Sequence, residues 1–236
     1  MKPIITFSIA FLILMSCSLN SIEGSSTIIK KKYDLKNFNA IELSNAFDVE
    51  LIQSDKYKVL LECNENIYEY VNISIDKRSV LVAKIEGHHS FSNETLKLKV
   101  YLPKLKNVSS SGACSIDFKE FHSDELYLEL SGASDVTGEL FVSDKMTINA
   151  SGASEISLNG KVKNLELDFS GASEFEGKNF IVANDFVLEA SGASSITTTV
   201  NGTLDIDVSG ASDVNYYGNG KLTNEDISGV GSISKH

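Results

Sequence analysis

The second half of the chain repeats one short pattern of apolar and polar positions. The tripeptide Ser-Gly-Ala occurs six times, and a Ser-Gly-Val follows as a seventh copy, at spacings of 18 to 21 residues. The copies begin at Ser111, Ser131, Ser151, Ser170, Ser191, Ser209 and Ser228. Apolar and polar residues alternate before each serine, and an acidic or small polar residue followed by an apolar one comes after it. This alternation predicts one half-buried strand entering each copy and a second strand leaving it.

The regular period predicts an all-β fold in which each repeat forms one coil of a β-solenoid, with Ser-Gly-Ala-Ser at a corner. Glycine supplies corner geometry that a β-carbon would forbid, alanine is expected to point into the crowded corner, and stacked serines are expected to hydrogen-bond between coils. The predicted corner glycines are Gly112, Gly132, Gly152, Gly171, Gly192, Gly210 and Gly229. An antiparallel meander is the weaker alternative, because it predicts no single turn motif once per 20 residues.

The pattern also extends upstream of the repeats. Residues 41–49 fit the same consensus, with Asn45 in place of glycine, and asparagine tolerates left-handed geometry well. Longer strands at 58–62, Val80–Ile85 and Leu96–Leu102 are expected to cap the open end of the stack. The sequence thus predicts one domain over residues 35–236, with cap strands over 35–108 and repeat coils over 109–234. A loop is expected at 215–224.

The N-terminus is typical of an exported protein. Lys2 precedes a twelve-residue apolar run that ends in Leu-Met-Ser-Cys, which resembles a bacterial lipoprotein signal. This pattern predicts a signal peptide over residues 1–16, lipidation of Cys17 and a flexible tether over 17–34, with Ser18 favouring the outer membrane. A disulfide between Cys63 and Cys114 is chemically allowed in such a compartment, but the sequence does not decide whether they pair.

The net charge and its distribution along the chain argue against some classes of binding partner. The 236 residues carry a net charge of -11, made up of +2 over residues 1–110 and -13 over 111–236. An acidic repeat region repels phosphate backbones, so the sequence argues against nucleic-acid binding. The basic residues are 20 lysines and one arginine, Arg78, which weakly disfavours bidentate recognition of anions.

The repeated Ser-Gly-Ala-Ser-acid-apolar coils resemble the bacterial GIN-domain family of auto-transporter adhesin head domains. Residues 48–51 and 102–105 support the resemblance, which covers roughly residues 35–225, and the lipoprotein-like start is similar to that of Bacteroidetes members. The family implies a right-handed parallel β-helix and an adhesive role, and it supplies no catalytic residues. A chain of this kind without a translocator barrel of its own is not expected to export itself.

Acidic side chains recur at fixed places in the repeats. One stripe contains Glu129, Asp168, Glu189, Asp207 and Asp226, and a second contains Asp135, Glu155, Glu174 and Asp213. Stacked carboxylates repel one another, and calcium on these stripes would relieve the repulsion. A solvated face that discourages aggregation is the preferred interpretation, so no cofactor is predicted. No catalytic serine elbow and no histidine or cysteine pair with zinc spacing is present in the sequence.

The sequence therefore favours a non-catalytic envelope lipoprotein, held to the membrane by its lipid. Its β-helix surface would contact a glycan, a protein or another copy of the chain. A polysaccharide-processing β-helix enzyme is the main alternative, because such enzymes need paired carboxylates and this chain has many. An envelope scaffold that binds a basic protein is a third possibility.

Overall fold

The molecule is a stack of β-coils, seen in a computed structural model that describes residues 21–236. The predicted signal peptide and Cys17 lie outside the described residues. The solenoid makes about six turns with coils of about 20 residues, which confirms the predicted fold. The described range also contains one 3-10 turn, Tyr68–Tyr70. No helix in residues 21–236 is long and apolar enough to cross a membrane.

The repeat coils contain eleven strands in parallel register. They are β10 (Asn107–Gly112), β11 (Ser115–Gly132), β12 (Asp135–Gly152), β13 (Glu155–Gly171), β14 (Glu174–Val182), β15 (Asp185–Gly192), β16 (Ser195–Val200), β17 (Thr203–Gly210), β18 (Asp213–Tyr217), β19 (Lys221–Gly229) and β20 (Ser232–Lys235). Each serine of the repeated tripeptide lies opposite the serine of the next coil. The expected loop at 215–224 shrinks to three residues, because β18 and β19 both extend into it.

Nine strands form the N-terminal part of the stack. They are β1 (Ser21–Glu23), β2 (Ile28–Tyr33), β3 (Ala40–Asn45), β4 (Asp48–Gln53), β5 (Lys58–Asn64), β6 (Val71–Ile75), β7 (Val80–Ile85), β8 (Ser90–Ser92) and β9 (Leu96–Leu102). Strands β3 and β4 stack in parallel on the first repeat coil. Strands β7 and β9 lie beyond them, and antiparallel β6, β5 and β2 complete this cap. The predicted inserted strands are confirmed.

The segment expected to be a flexible tether is partly folded. Strand β1 pairs with β8, and β2 runs antiparallel to β5. Ile29 and Tyr33 of β2 pack against the core, so this strand buries apolar surface that a tether would leave in water. The ordered domain therefore includes residues 21–34, and the tether prediction is wrong for residues 21–23 and 28–33.

The repeated corner is built by contact between backbones. Gly152 has a φ of +111°, and a β-carbon placed there would lie 2.4 Å from the carbonyl oxygen of Gly132. That oxygen accepts a hydrogen bond of 2.8 Å from the N–H of Ala153 in the next coil. Asn45 occupies the equivalent corner in the cap with a φ of 76°, as its place in the pattern predicts.

The expected direction of the corner alanine is wrong. The alanines of the six Ser-Gly-Ala copies are exposed, and the next residue of each copy points inward. These inward residues are Cys114, Ser134, Ser154, Ser173, Ser194 and Ser212, all at most 3% exposed. Leu130 and Ser134 are both buried and lie four positions apart, so the alternation of side chains keeps its phase across the corner and places Ala133 on the outward side.

Hydrogen bonding between stacked serines occurs at only some of the corners. The hydroxyls of Ser110 and Ser134 lie 2.9 Å apart, and Ser111 donates to Ser44 at 3.3 Å. The buried hydroxyls of Ser154, Ser173 and Ser194 have no hydrogen-bond partner among the described residues. The inner serines thus fill space more than they connect coils.

The core runs the length of the stack and contains the two cysteines of residues 21–236, Cys63 and Cys114. Phe169 is fully buried between Ala150 and Ala190 of the neighbouring coils, so large and small side chains alternate along one row. Cys63 and Cys114 are buried and unbridged, which settles the question that the sequence left open. Burial raises the pKa of the Cys63 thiol, which makes it a poor nucleophile.

Candidate binding groove and acidic columns

The acidic residues predicted from the repeats do form a column. Asp135, Glu155 and Glu174 occupy the same register position in three consecutive coils, all exposed. Ser195 follows them, and Asp213 then continues the row. We call these five residues the acidic column. Strand spacing places neighbouring carboxylates about 5 Å apart at their backbones.

The second stripe is also in register, and we refer to it and the acidic column together as the acidic columns. Its members are Glu129, Asn149, Asp168, Glu189, Asp207 and Asp226, one per coil. Between the two stripes lie the exposed serines and alanines of the corners. Within residues 21–236, no group of three histidine, cysteine or acidic side chains is arranged to hold a metal ion. Calcium binding on the stripes therefore gains no support from this geometry.

Both rows of acidic residues extend into the cap, where cations meet them. Glu42 lies beyond the second stripe and pairs with Arg78 at 2.9 Å. Asp48 extends the acidic column and lies 3.9 Å from Lys97. Hydrogen bonds to Asp76 and Glu42 raise the pKa of Arg78, so its charge is held firmly at this end of the stack.

An open groove lies where the cap meets the repeat coils. Its volume is about 750 Å³. One wall is the link between β9 and β10, residues 103–106, and the other is formed by the coil corners opposite the glycines, at 122–125, 141–143 and 161–163. The groove and the glycine corners are thus on different sides of each coil. A smaller depression of about 210 Å³ shares Lys106 and Glu125 with it and continues to Tyr127 and Lys145.

Hydrogen bonds from two side chains fix the walls of the groove. The amide of Gln53 donates to the carbonyl oxygens of Pro103 and His122, at 3.1 and 3.0 Å, and accepts the His122 N–H at 3.0 Å. The Ser123 hydroxyl lies 2.8 Å from the carbonyl oxygen of Leu105. These bonds tie the link to the first coil corner, so the groove is largely preformed.

An aromatic pair lies on the wall formed by the coils. His122 and Phe141 lie opposite each other in adjacent coils, and their rings stack with centroids 4.8 Å apart and planes 15° from parallel. His122 is exposed and Phe141 is half-buried. Lys161 occupies the same register position in the next coil, so a cation continues the aromatic row.

The groove is basic although the protein is acidic. Its charged lining residues are Lys104, Lys106, Lys161, Lys163, Asp124 and Glu125, which sum to +2 with His122 neutral. Lys163 pairs with Asp144 at 3.2 Å. Within the described residues, Lys104, Lys106 and Lys161 have no ion-pair partner.

Sequence reasoning missed this groove. Its residues come from positions 53, 104, 122, 141 and 161, which are roughly one coil apart in the repeats. Summing the charge over each half of the chain does not reveal their local positive charge. The repeat alignment held the signal, because Phe141 and Lys161 fall in one register column once the coils are aligned on their glycines.

Several solved structures share the fold. A Bacteroides fragilis protein described as a "putative adhesin" is 20% identical, with a TM-score of 0.83, and the alignment covers 92% of this chain and 100% of that one. A Parabacteroides distasonis protein described as a "putative lipid binding protein" is 18% identical with a TM-score of 0.66 and the same coverage. A Parabacteroides distasonis "putative adhesin" is 18% identical with a TM-score of 0.57 and the same coverage.

No functionally curated protein matches this chain. The family model described as "Putative auto-transporter adhesin, head GIN domain" matches residues 37–220, which includes the first coil of the cap, the whole groove and six of the seven glycine corners. This match agrees with the expected resemblance in family and in extent. The chain therefore belongs to the GIN-domain family.

Proposed function

We propose that this protein is an exported, lipid-anchored and non-catalytic binding module of the cell envelope, whose solenoid surface contacts a glycan or protein partner. The observation that carries the proposal is the preformed groove at the junction of cap and coils. A concave site with an aromatic pair and several polar groups is the usual form of a ligand site. Membership of an adhesin-like family supports a place in the envelope or outside the cell.

The start of the folded domain supports an orientation for this module. Only three residues separate Cys17 from Ser21, where β1 begins, so the lipidated residue would lie within about 14 Å of the cap. A lipid at Cys17 would then hold the cap close to the outer membrane. The repeat coils, with the groove wall that they form, would project away from the membrane.

A polysaccharide-processing enzyme is the second candidate. Asp124 and Glu125 both line the groove and are exposed, and paired carboxylates are what glycoside hydrolysis requires. They are consecutive in the chain, and the family match favours a non-enzymatic role. We therefore place binding first.

Protease treatment of intact cells tests the envelope placement. We expect the wild-type protein to sediment with membranes and to be cleaved on the cell surface, while a Cys17→Ala variant leaves the membrane fraction. Protection of the wild-type protein until the outer membrane is broken would shift the proposal to a periplasmic scaffold. Membrane association that survives Cys17→Ala would contradict the lipid anchor.

A further inference from the structure

The charge of the groove differs from that of the surrounding surface. Four lysines and two carboxylates give its lining a charge of +2, whereas the whole chain carries -11. Lys104, Lys106 and Lys161 are exposed. A cationic cleft in an anionic surface concentrates negatively charged ligands there and repels them elsewhere.

The groove also presents aromatic side chains next to polar groups, a combination that suits the binding of a sugar ring. The stacked His122 and Phe141 present aromatic carbon beside Lys161, and the hydroxyls of Ser123 and Ser143 lie along the same wall. Asp124 and Glu125 add hydrogen-bond acceptors. Aromatic carbon next to mixed donors and acceptors suits a sugar ring, which has apolar C–H groups and many hydroxyls.

The shape favours a chain over a single sugar. The smaller depression adjoins the groove at Lys106 and Glu125 and extends it to Tyr127 and Lys145. Tyr127 lies on its surface, and its hydroxyl accepts a 2.6 Å hydrogen bond from Asn149. Aromatic rings are thus present in both parts of the site, His122 and Phe141 in the groove and Tyr127 in the depression.

We propose that this groove binds an acidic polysaccharide whose sugars carry carboxylates. Lys104, Lys106 and Lys161 pair with the carboxylates, and the His122–Phe141 pair packs against a sugar ring. This assignment rests on the proposed function as a binding module and names the ligand class of its groove. A nucleic acid fits less well, because the rings of His122 and Phe141 stack on each other instead of standing apart to receive successive bases.

The test is a binding titration of the full-length protein, extracted in neutral detergent, against polygalacturonate and hyaluronan. Fully methyl-esterified polygalacturonate is the matched uncharged ligand. We expect binding to both acidic polymers and little binding to the ester. A Lys104→Ala/Lys161→Ala variant should bind about tenfold more weakly, from the loss of two charge contacts. Lys221→Ala, an exposed lysine outside the groove, should bind like the wild type.

The outcomes separate this inference from the proposed function. Absence of binding to both acidic polymers, equal binding of the ester, or equal binding by the double variant overturns the groove assignment and leaves a binding module standing. Tighter binding to a polyuridylate control also overturns it. Release of new reducing ends from polygalacturonate overturns the non-catalytic function while the groove assignment stands. Unfolding midpoints of all three proteins, which should be equal, show that the variants are folded.

Discussion

The cap and the repeat coils use the same outward positions differently. In the cap, carboxylates in the two acidic rows meet cations: Glu42 lies 2.9 Å from Arg78, and Asp48 lies 3.9 Å from Lys97. In the coils, Glu155 has carboxylates on both sides of it in the acidic column. In these two rows the cap therefore pairs its carboxylates with cations, whereas the coils place carboxylate beside carboxylate. Elsewhere the coils do form ion pairs, such as that between Lys163 and Asp144.

The same contrast holds for positions with positive φ. In the cap they carry ordinary residues such as Asn37, Ser79 and Asn93, while the coil corners carry glycine. A coil has a neighbour about 4.8 Å away on each side, which leaves no room for a β-carbon at the corner. Each coil therefore carries glycine at this corner. The residues on the opposite side of the coil, where the groove lies, differ from one coil to the next.

The largest effect should come from filling a coil corner. Gly152→Ala places a β-carbon against the Gly132 carbonyl oxygen at a φ of +111°, and we expect it to lower the free energy of unfolding by about 3 kcal/mol or more. Ser79→Gly in the cap, which removes a β-carbon at a φ of 64°, is the control and should not destabilise. Urea unfolding measures both. A small loss in Gly152→Ala would contradict the close stacking at this corner.

Two inner serines of the coils should respond in opposite directions to the same substitution. Ser134→Cys breaks the bond to Ser110 and leaves a buried hydroxyl unpaired, which should cost about 1–2 kcal/mol. Ser173→Cys removes an unpaired buried hydroxyl and should stabilise by about 1 kcal/mol. Cys114 shows that the position accepts a thiol. Unfolding under reducing conditions should separate the two variants, and equal shifts would contradict the assigned bonds.

In the cap, the contribution of Asp76 should depend on pH. Hydrogen bonds from the backbone of Val80 and from Arg78 lower the pKa of Asp76. Its stabilisation is therefore present above about pH 4 and is lost as the pH falls through the lowered value. We expect Asp76→Asn to lower the thermal midpoint by a few degrees at pH 7, with the difference from wild type shrinking as the pH falls below about 4. A difference that stays constant with pH would contradict the charge pairing.

The smallest effect should have the opposite sign in the coils. Glu155→Gln removes a carboxylate that faces Asp135 and Glu174, so it should raise the thermal midpoint by about 1 °C at low salt. Added salt should abolish the gain because it screens the repulsion. Calorimetry at two ionic strengths tests this, and a destabilised variant would indicate that the column binds a cation.

The sequence specified most of the fold because the repeat makes each position visible several times. Asn45 stands at the glycine position of the consensus and its φ of 76° is that of a corner, and the corner glycines follow from the same alignment. The expected inward direction of the corner alanines is wrong, because small size alone does not place a side chain inward. The strand alternation keeps its phase across the corner and turns the alanine outward. The folding of residues 21–33 was missed, since polar, lysine-rich β2 buries only Ile29 and Tyr33.

The groove was harder to predict for a physical reason. It is formed by one non-repeating link, 103–106, and by coil corners that differ from one coil to the next. Alignment of the repeats identifies positions that are alike in every coil, and these positions are not alike. The acidic columns are easy to predict because they are regular, although the described residues show no metal-binding geometry on them.

The account places ligand contact at the junction of the cap and the coils, and hydrogen–deuterium exchange with and without polygalacturonate tests this most directly. It predicts that exchange slows in residues 103–106, 122–125, 141–145 and 161–163, and that the glycine corners and acidic columns are unchanged. Slowed exchange confined to the acidic columns or to the cap strands, with residues 103–106 and 122–125 unaffected, would contradict it.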